Sequence, residues 1–124
     1  MSKFKDCVLK AVSLVPKGKV VSYGQVALMV GIPRAAIQVG WVLHESGDKV
    51  PWWRVVNKKG RISTTCLEHD ANMQKVLLEQ DGVEVSDKLM VDMCIYRFIP
   101  EENFLDKLNL DDEYIQMLMD KYGI

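Results

Sequence analysis

Between Pro16 and Gly47 the chain is cut into short pieces, and this punctuation limits the fold more than any other feature. The run "PKGK" ends a first amphipathic segment, Gly31 and Pro33 divide the next stretch, and Gly47 closes it. Proline lacks the N–H that continues a helix, and glycine tolerates the left-handed backbone that ends one, so each marks a boundary. Before the first break, Phe4, Cys7, Val8, Ala11, Val12 and Val15 recur at helical spacing, which predicts a helix over Lys3–Val15 with Ser2 as its cap. Ser22 and Gln25 have capping-box spacing ahead of a short second helix, "YGQVALMV", stopped by Gly31. Pro33 suits the first turn of a third, "RAAIQVGWVLHES". Two helices joined by a tight glycine-containing turn form a helix-turn-helix candidate.

After Gly47, "WRVVNKKGRIS" predicts two short extended runs around the basic turn "NKKG", a wing. Thr65 and Glu68 repeat the capping spacing ahead of a fourth helix, which carries Leu67, Ala71, Val76, Leu77 and Leu78 and stops at Gly82. "VDMCIYRFI" predicts a strand, and Tyr114, Ile115, Leu118, Met119 and Tyr122 predict a last helix capped by Asp111. The expected fold is mainly α with a small wing, a winged helix-turn-helix DNA-binding domain. A chain of 124 residues with 48 % hydrophobic content builds a single core.

The net charge of −1 conceals an uneven distribution. Residues 16–61 hold eight basic and two acidic residues, a net +6, whereas residues 62–124 hold five basic and fourteen acidic, a net −9. A basic centre suits a polyanion, and an acidic tail stays away from one; a solvated surface is the plainer reading of the same charges. "MSKFKDCVLKAV" offers neither a signal-type apolar run nor a cleavage site, and the chain has no long apolar stretch, so we expect an intracellular chain, in cytoplasm, nucleoid or nucleus, with no membrane partner. Cys7, Cys66 and Cys94 lack paired spacing, and His44 and His69 lack ligand partners, so no disulfide framework, metal or cofactor is expected.

One stretch needs a separate account: "VPWWRVV" sets two indoles side by side ahead of an apolar run. With "VPKGKVVSYGQVA" and "GIPRAAIQVGWVL" before it and "NKKGRIS" after it, in this order and spacing, the chain resembles the DNA-binding domain of the O6-alkylguanine-DNA alkyltransferases, and in particular the alkyltransferase-like proteins. The resemblance extends from residue 3 to about residue 98, through "KVLLEQDGVEV", and implies that the DNA-binding domain spans residues 1–99, with an acidic helical extension over 100–124. In the alkyltransferases the run at residues 51–54 reads Pro-Cys-His-Arg, and the cysteine thiolate accepts the alkyl group. Here Trp52 and Trp53 stand at those two positions. An indole has a ring N–H donor and no anionic atom with which to displace an alkyl group, so the resemblance implies recognition without alkyl transfer. Trp53 departs from the alkyltransferase-like pattern too, which commonly keeps the histidine. Cys66 lacks the residues that flank the family thiol and is read as structural or incidental.

The resemblance implies a non-enzymatic sensor that binds double-stranded DNA in the minor groove and rotates O6-alkylguanine into a pocket. The lesion is thereby marked for nucleotide excision repair, whose proteins are the expected partners of an otherwise monomeric chain. The implied base pocket comprises Tyr23 at its mouth, Trp52 on its wall, Arg54, Val55 and Ser63, with Trp53 as a core residue. Arg54 either orients its segment, reaches the base or is a surface charge. The implied DNA-contacting set is Tyr23, Arg34, Ala35, Ala36, Ile37 and Gln38. Ile37 stands where the family carries an arginine finger. It either acts as an apolar wedge, with Arg34 on a phosphate, or marks a scaffold that no longer rotates bases. The alternative function is a protein-interaction module on the same scaffold, working through the Phe104–Tyr122 segment.

Overall fold

The computed structural model describes residues 3–46, 49–62, 71–99 and 112–117. In chain order these form α1 (Lys3–Ser13), β1 (Val21–Ser22), α2 (Tyr23–Met29), α3 (Ala36–Ser46), a 3-10 turn (Trp52–Arg54), β2 (Val55–Val56), α4 (Ala71–Gln80), α5 (Met93–Tyr96) and α6 (Asp112–Met117). Ser2, Gly47, Ser63, Thr65, Cys66, Leu67, Glu68, His69, Asp111, Leu118, Met119 and Tyr122, to which expectations were attached, lie outside the described residues.

α1, α2 and α3 pack around Val8, Ala11, Val12, Val26, Ala27, Met29, Val39 and Leu43. α1 is two residues shorter than the spacing predicts, with Leu14 and Val15 in the turn after it. α2 starts as expected: Ser22 is its N-cap, and Ser22 Oγ accepts from the Gln25 N–H at 3.0 Å. Only half of the capping box forms. The buried Gln25 side chain turns away to donate to the Phe98 carbonyl, tying α2 to the distant 97–98 segment. α2 stops at Gly31, whose φ is +86° and whose N–H reaches Leu28 O, while Ile32 N–H reaches Ala27 O. α3 begins at Ala36 rather than in the first turn after Pro33; Pro33 and Arg34 form a turn ahead of it.

The two strands are short and parallel, with Val21 opposite Val55 and Ser22 opposite Val56. Alternation along them divides the interior. Val21 and Val55 face the helical core, whereas Val20 and Val56 join a second cluster with Ile62, Leu78, Val83, Val85 and Val91.

The wing turn forms, closed by Asn57 N–H to Arg61 O at 3.1 Å, but its arms find their strand partners elsewhere. β2 pairs with β1, and the return arm bridges to the 89–91 segment through Arg61 and Met90. A strand over 91–99 does not form. Asp92 caps a helical turn by accepting from Cys94 N–H at 2.9 Å, which overrides the β-branched and aromatic content of the run. Its extended character survives at Arg97 and Phe98, which run parallel to Val20. In α4 the buried face is Gln74 and Leu78, and Val76, expected inside, is 53 % exposed. Tyr114 and Met117 of α6 pack against the helical core, and Tyr114 Oη donates to Leu28 O at 2.6 Å.

Candidate nucleic-acid interface

The position of Tyr23 comes from its two neighbours. β1 fixes the chain at Val21 and Ser22, the Ser22 cap starts α2, and Tyr23 becomes the first residue of that helix. Gly40 of α3 faces it, where a Cβ would stand 3.9 Å from Tyr23 Cε1. Tyr23 is half-buried against the helical core and lines an open cleft of about 720 Å³. α2 contributes Tyr23 and Gly24 to the cleft, α3 contributes Ala36, and the wing tip contributes Asn57, Lys58, Lys59 and Arg61.

The wing tip is held rigidly. Asn57 Oδ1 accepts from Lys59 N–H at 3.0 Å and from Arg61 N–H at 2.8 Å, an Asx-type turn that presents Lys58, Lys59 and Arg61 to solvent. Gly60 is required there: its φ is +90°, and a Cβ would run into the Val91 carbonyl oxygen. Three cations thus rim a cleft with mainly apolar walls.

On α3 the inward residues are Val39, Val42, Leu43 and Ser46, so the opposite face is open. Ile37 is 69 % and Trp41 64 % exposed on that face, with Gln38 exposed beside them and Arg34 exposed in the preceding turn. Ala36 is half-buried in the cleft. Ala35, expected against DNA, is a core residue at 5 % exposure, because it lies on the inward side ahead of Val39. Trp41 carried no sequence assignment. The helical spacing of Val39, Val42 and Leu43 inside is the signal that would have placed it outside.

The two indoles differ in depth. Trp52 is 4 % exposed and belongs to the helical core against which Tyr23 packs, while Trp53 is half-buried between the two clusters. Their rings meet edge to face, with centroids 6.1 Å apart. The 3-10 turn rotates successive side chains by about a third of a circle, so the residue turned inward cannot be read from a strand-like pattern.

Arg54 does not reach into the cleft. Its Nε lies 2.8 Å from Asp81 Oδ2, its Nη2 3.3 Å from Asp81 Oδ1, and its Nη1 2.9 Å from Val15 O. Trp53 Nε1 donates to the same Asp81 Oδ2 at 2.9 Å. Burial pushes the Asp81 carboxyl up, but hydrogen bonds from Arg54 and Trp53 and the charges of Arg54 and Lys17 outweigh it, so its pKa lies below its ordinary value. Arg54 orients the segment, as one of the three sequence readings had it, and its charge is spent internally. Val55 is fully buried in the core and also lies outside the cleft lining. Gln74, buried at 1 % exposure, donates to the Trp53 and Val55 carbonyls at 3.0 and 2.9 Å and clamps the segment from α4.

Among the described residues, no group of His, Cys, Asp and Glu could hold a metal ion, and no helix is long and apolar enough to cross a membrane. What the arrangement offers is a cationic rim, a flat aromatic side chain at a cleft, and an exposed apolar helix face beside it.

The family described as 6-O-methylguanine DNA methyltransferase, DNA binding domain, matches residues 3–83. A "DNA base-flipping protein" of Escherichia coli is 42 % identical over 97 residues, 77 % of this chain and 74 % of that protein. "Alkyltransferase-like protein 1" of Schizosaccharomyces pombe is 40 % identical over 87 residues, 68 % of this chain and 81 % of that one. The crystal structure of the S. pombe alkyltransferase-like protein in complex with damaged DNA containing O6-carboxymethylguanine superposes with a TM-score of 0.74 at 35 % identity, over 81 % of this chain and 98 % of that one. Fold, motif order and these matches agree, and the chain belongs to the 6-O-methylguanine DNA methyltransferase DNA-binding domain family, among its alkyltransferase-like members.

Proposed function

We propose that this chain is a non-enzymatic sensor that binds duplex DNA, rotates O6-alkylguanine out of the stack and marks it for nucleotide excision repair. The observation that carries the reading is the cleft itself. Tyr23 and Ala36 meet the Lys58, Lys59 and Arg61 rim there, immediately beside the exposed Ile37 of α3. A rotated nucleotide needs a flat surface for its base and cations for its displaced phosphates, and the cleft supplies both. Ile37 then enters the duplex as an apolar wedge, and Arg34 and Gln38 hold the backbone on either side. The relatives support the reading: one is named for base flipping, and the S. pombe protein was crystallised with alkylated DNA.

The absence of alkyl transfer rests on Trp52, which stands where the alkyltransferases keep their acceptor cysteine. Its indole provides no thiolate, and its burial makes it part of the frame rather than a stacking face. We assign the DNA-binding unit to residues 1–99 and an extension to 100–124, of which Tyr114 contacts the core. The interaction-module alternative is the weaker one, because Tyr114, part of the stripe it relies on, is turned onto the core beside Met117.

Base rotation is tested with a duplex that carries the fluorescent base 2-aminopurine beside O6-methylguanine. Unstacking brightens this base, so the protein should raise its emission in the lesion duplex. Unchanged emission at saturating protein would contradict rotation.

A further inference from the structure

We propose that Trp41 is a second DNA-contacting residue of α3, its indole lying against the duplex one helical turn beyond Ile37 and supplying the aromatic surface that Ile37 lacks; this rests on the reading of α3 as the helix that meets DNA. Large aromatic side chains are normally buried, and Trp41 is 64 % exposed on an otherwise well-packed helix. It shares its face with Ile37, 69 % exposed, four residues earlier. No basic or acidic residue separates them: Gln38, Val39 and Gly40 intervene, so the two form a continuous apolar ridge.

Charge complementarity identifies the occupant. The ridge lies on the helix that contributes Ala36 to the cleft rimmed by Lys58, Lys59 and Arg61, within a stretch carrying a net +6. Arg34 is exposed in the turn before that helix, and the one carboxylate of α3, Glu45 a turn beyond Trp41, is paired with Lys5 at 3.7 Å. A basic protein partner would be repelled there. The acidic half of the chain, where such a partner would be attracted, is elsewhere in the sequence.

Distance separates the roles of the two side chains. Four residues of helix advance about 6 Å, close to two base-pair steps of about 3.4 Å. Trp41 therefore cannot share the gap that Ile37 fills; it presses on a neighbouring nucleotide, where its ring stacks on a sugar or an opened base and its Nε1–H donates to a phosphate or groove acceptor. Ile37 offers bulk without a flat face or a donor, and Trp41 restores both functions at an adjacent step.

The test compares the wild type, Trp41→Ala and Trp41→Phe on an O6-methylguanine duplex and an unmodified duplex, by anisotropy and by acrylamide quenching of tryptophan emission. Because the side chain is exposed, both variants should melt as the wild type does. Trp41→Ala should bind DNA roughly tenfold more weakly, and Trp41→Phe, which keeps the flat face but lacks the donor, should fall between that variant and the wild type. Saturating duplex should remove most of the acrylamide-accessible emission of the wild type, since Trp41 is the exposed indole of the three. If Trp41→Ala binds like the wild type and the indole stays accessible in the complex, the proposal is overturned and the face belongs to another partner. Equal wild-type affinity for the two duplexes overturns the lesion-sensing reading alone, because the Trp41 effect is still measured on either. A wild type that binds neither overturns both.

Discussion

Arg54 Nε and Asp81 Oδ2 lie 2.8 Å apart, the side chains only 14 % and 7 % exposed, and Trp53 Nε1 donates to the same oxygen. This pair fastens the 3-10 turn after Pro51 to the C-terminal end of α4. Asp81→Asn leaves the Arg54 charge buried without its partner, and we expect a loss of about 3 kcal/mol in urea denaturation at neutral pH.

The same carboxyl gives a pH signature. Its folded pKa lies below its ordinary value of 3.8, so the stability it contributes is complete above that value and is lost as pH falls through the lowered folded value. Denaturation midpoints recorded across this acid range should fall less steeply for Asp81→Asn than for the wild type. Parallel slopes would mean that the carboxyl titrates alike in folded and unfolded chains.

Gly60→Ala should destabilise by about 2 kcal/mol or more, since it combines a left-handed backbone with a clash against the Val91 carbonyl. The lost contact is the Val91 N–H to Gly60 O bond that holds the wing to the second cluster. A calorimetric melt would register it, and DNA affinity should fall in parallel as the lysines lose their placement.

Much of the helix-turn-helix could be read from the chain because its signals are local. Ser22 caps Gln25 three residues away, and Gly31 ends α2 within its own turn. The remainder depended on partners far along the chain. Asp81 holds Trp53 and Arg54 across 28 and 27 residues, and Gln74 is buried only because two carbonyls of the 53–55 segment await it, so neither hydrophobic periodicity nor charge counting could reveal them. Asp92 misled in the opposite way: its local capping chemistry prevailed over the strand-like composition around it. In the candidate site, the places of Tyr23, Ala36 and the exposed Ile37 come directly from helix phase. Trp52 and Val55 are buried in the helical core and Arg54 is bound to Asp81, placements that depend on partners far along the chain and not on motif position.

The proposed reading gives the wing cations a role on phosphates and none in stability. Replacing both Lys58 and Lys59 by Ala should leave the melting temperature unchanged and reduce the slope of log affinity against log salt by about 1.8, two phosphate contacts' worth. An unaltered slope would place the wing away from DNA.

Ile37→Arg should tighten duplex binding several-fold, because a guanidinium both stacks and donates to bases and phosphates where isoleucine only fills space. With Ile37 69 % exposed, the fold should tolerate the change. Weaker binding would mean that α3 does not enter the duplex.

The central claim is recognition of an alkylated base by a chain that leaves the alkyl group in place. It is tested most directly by one titration that compares affinity for a duplex containing O6-methylguanine with that for the same duplex unmodified, followed by intact-mass measurement of the recovered protein. The account predicts tighter binding to the lesion and an unchanged protein mass. Equal affinities, or a protein heavier by one methyl group, would contradict it.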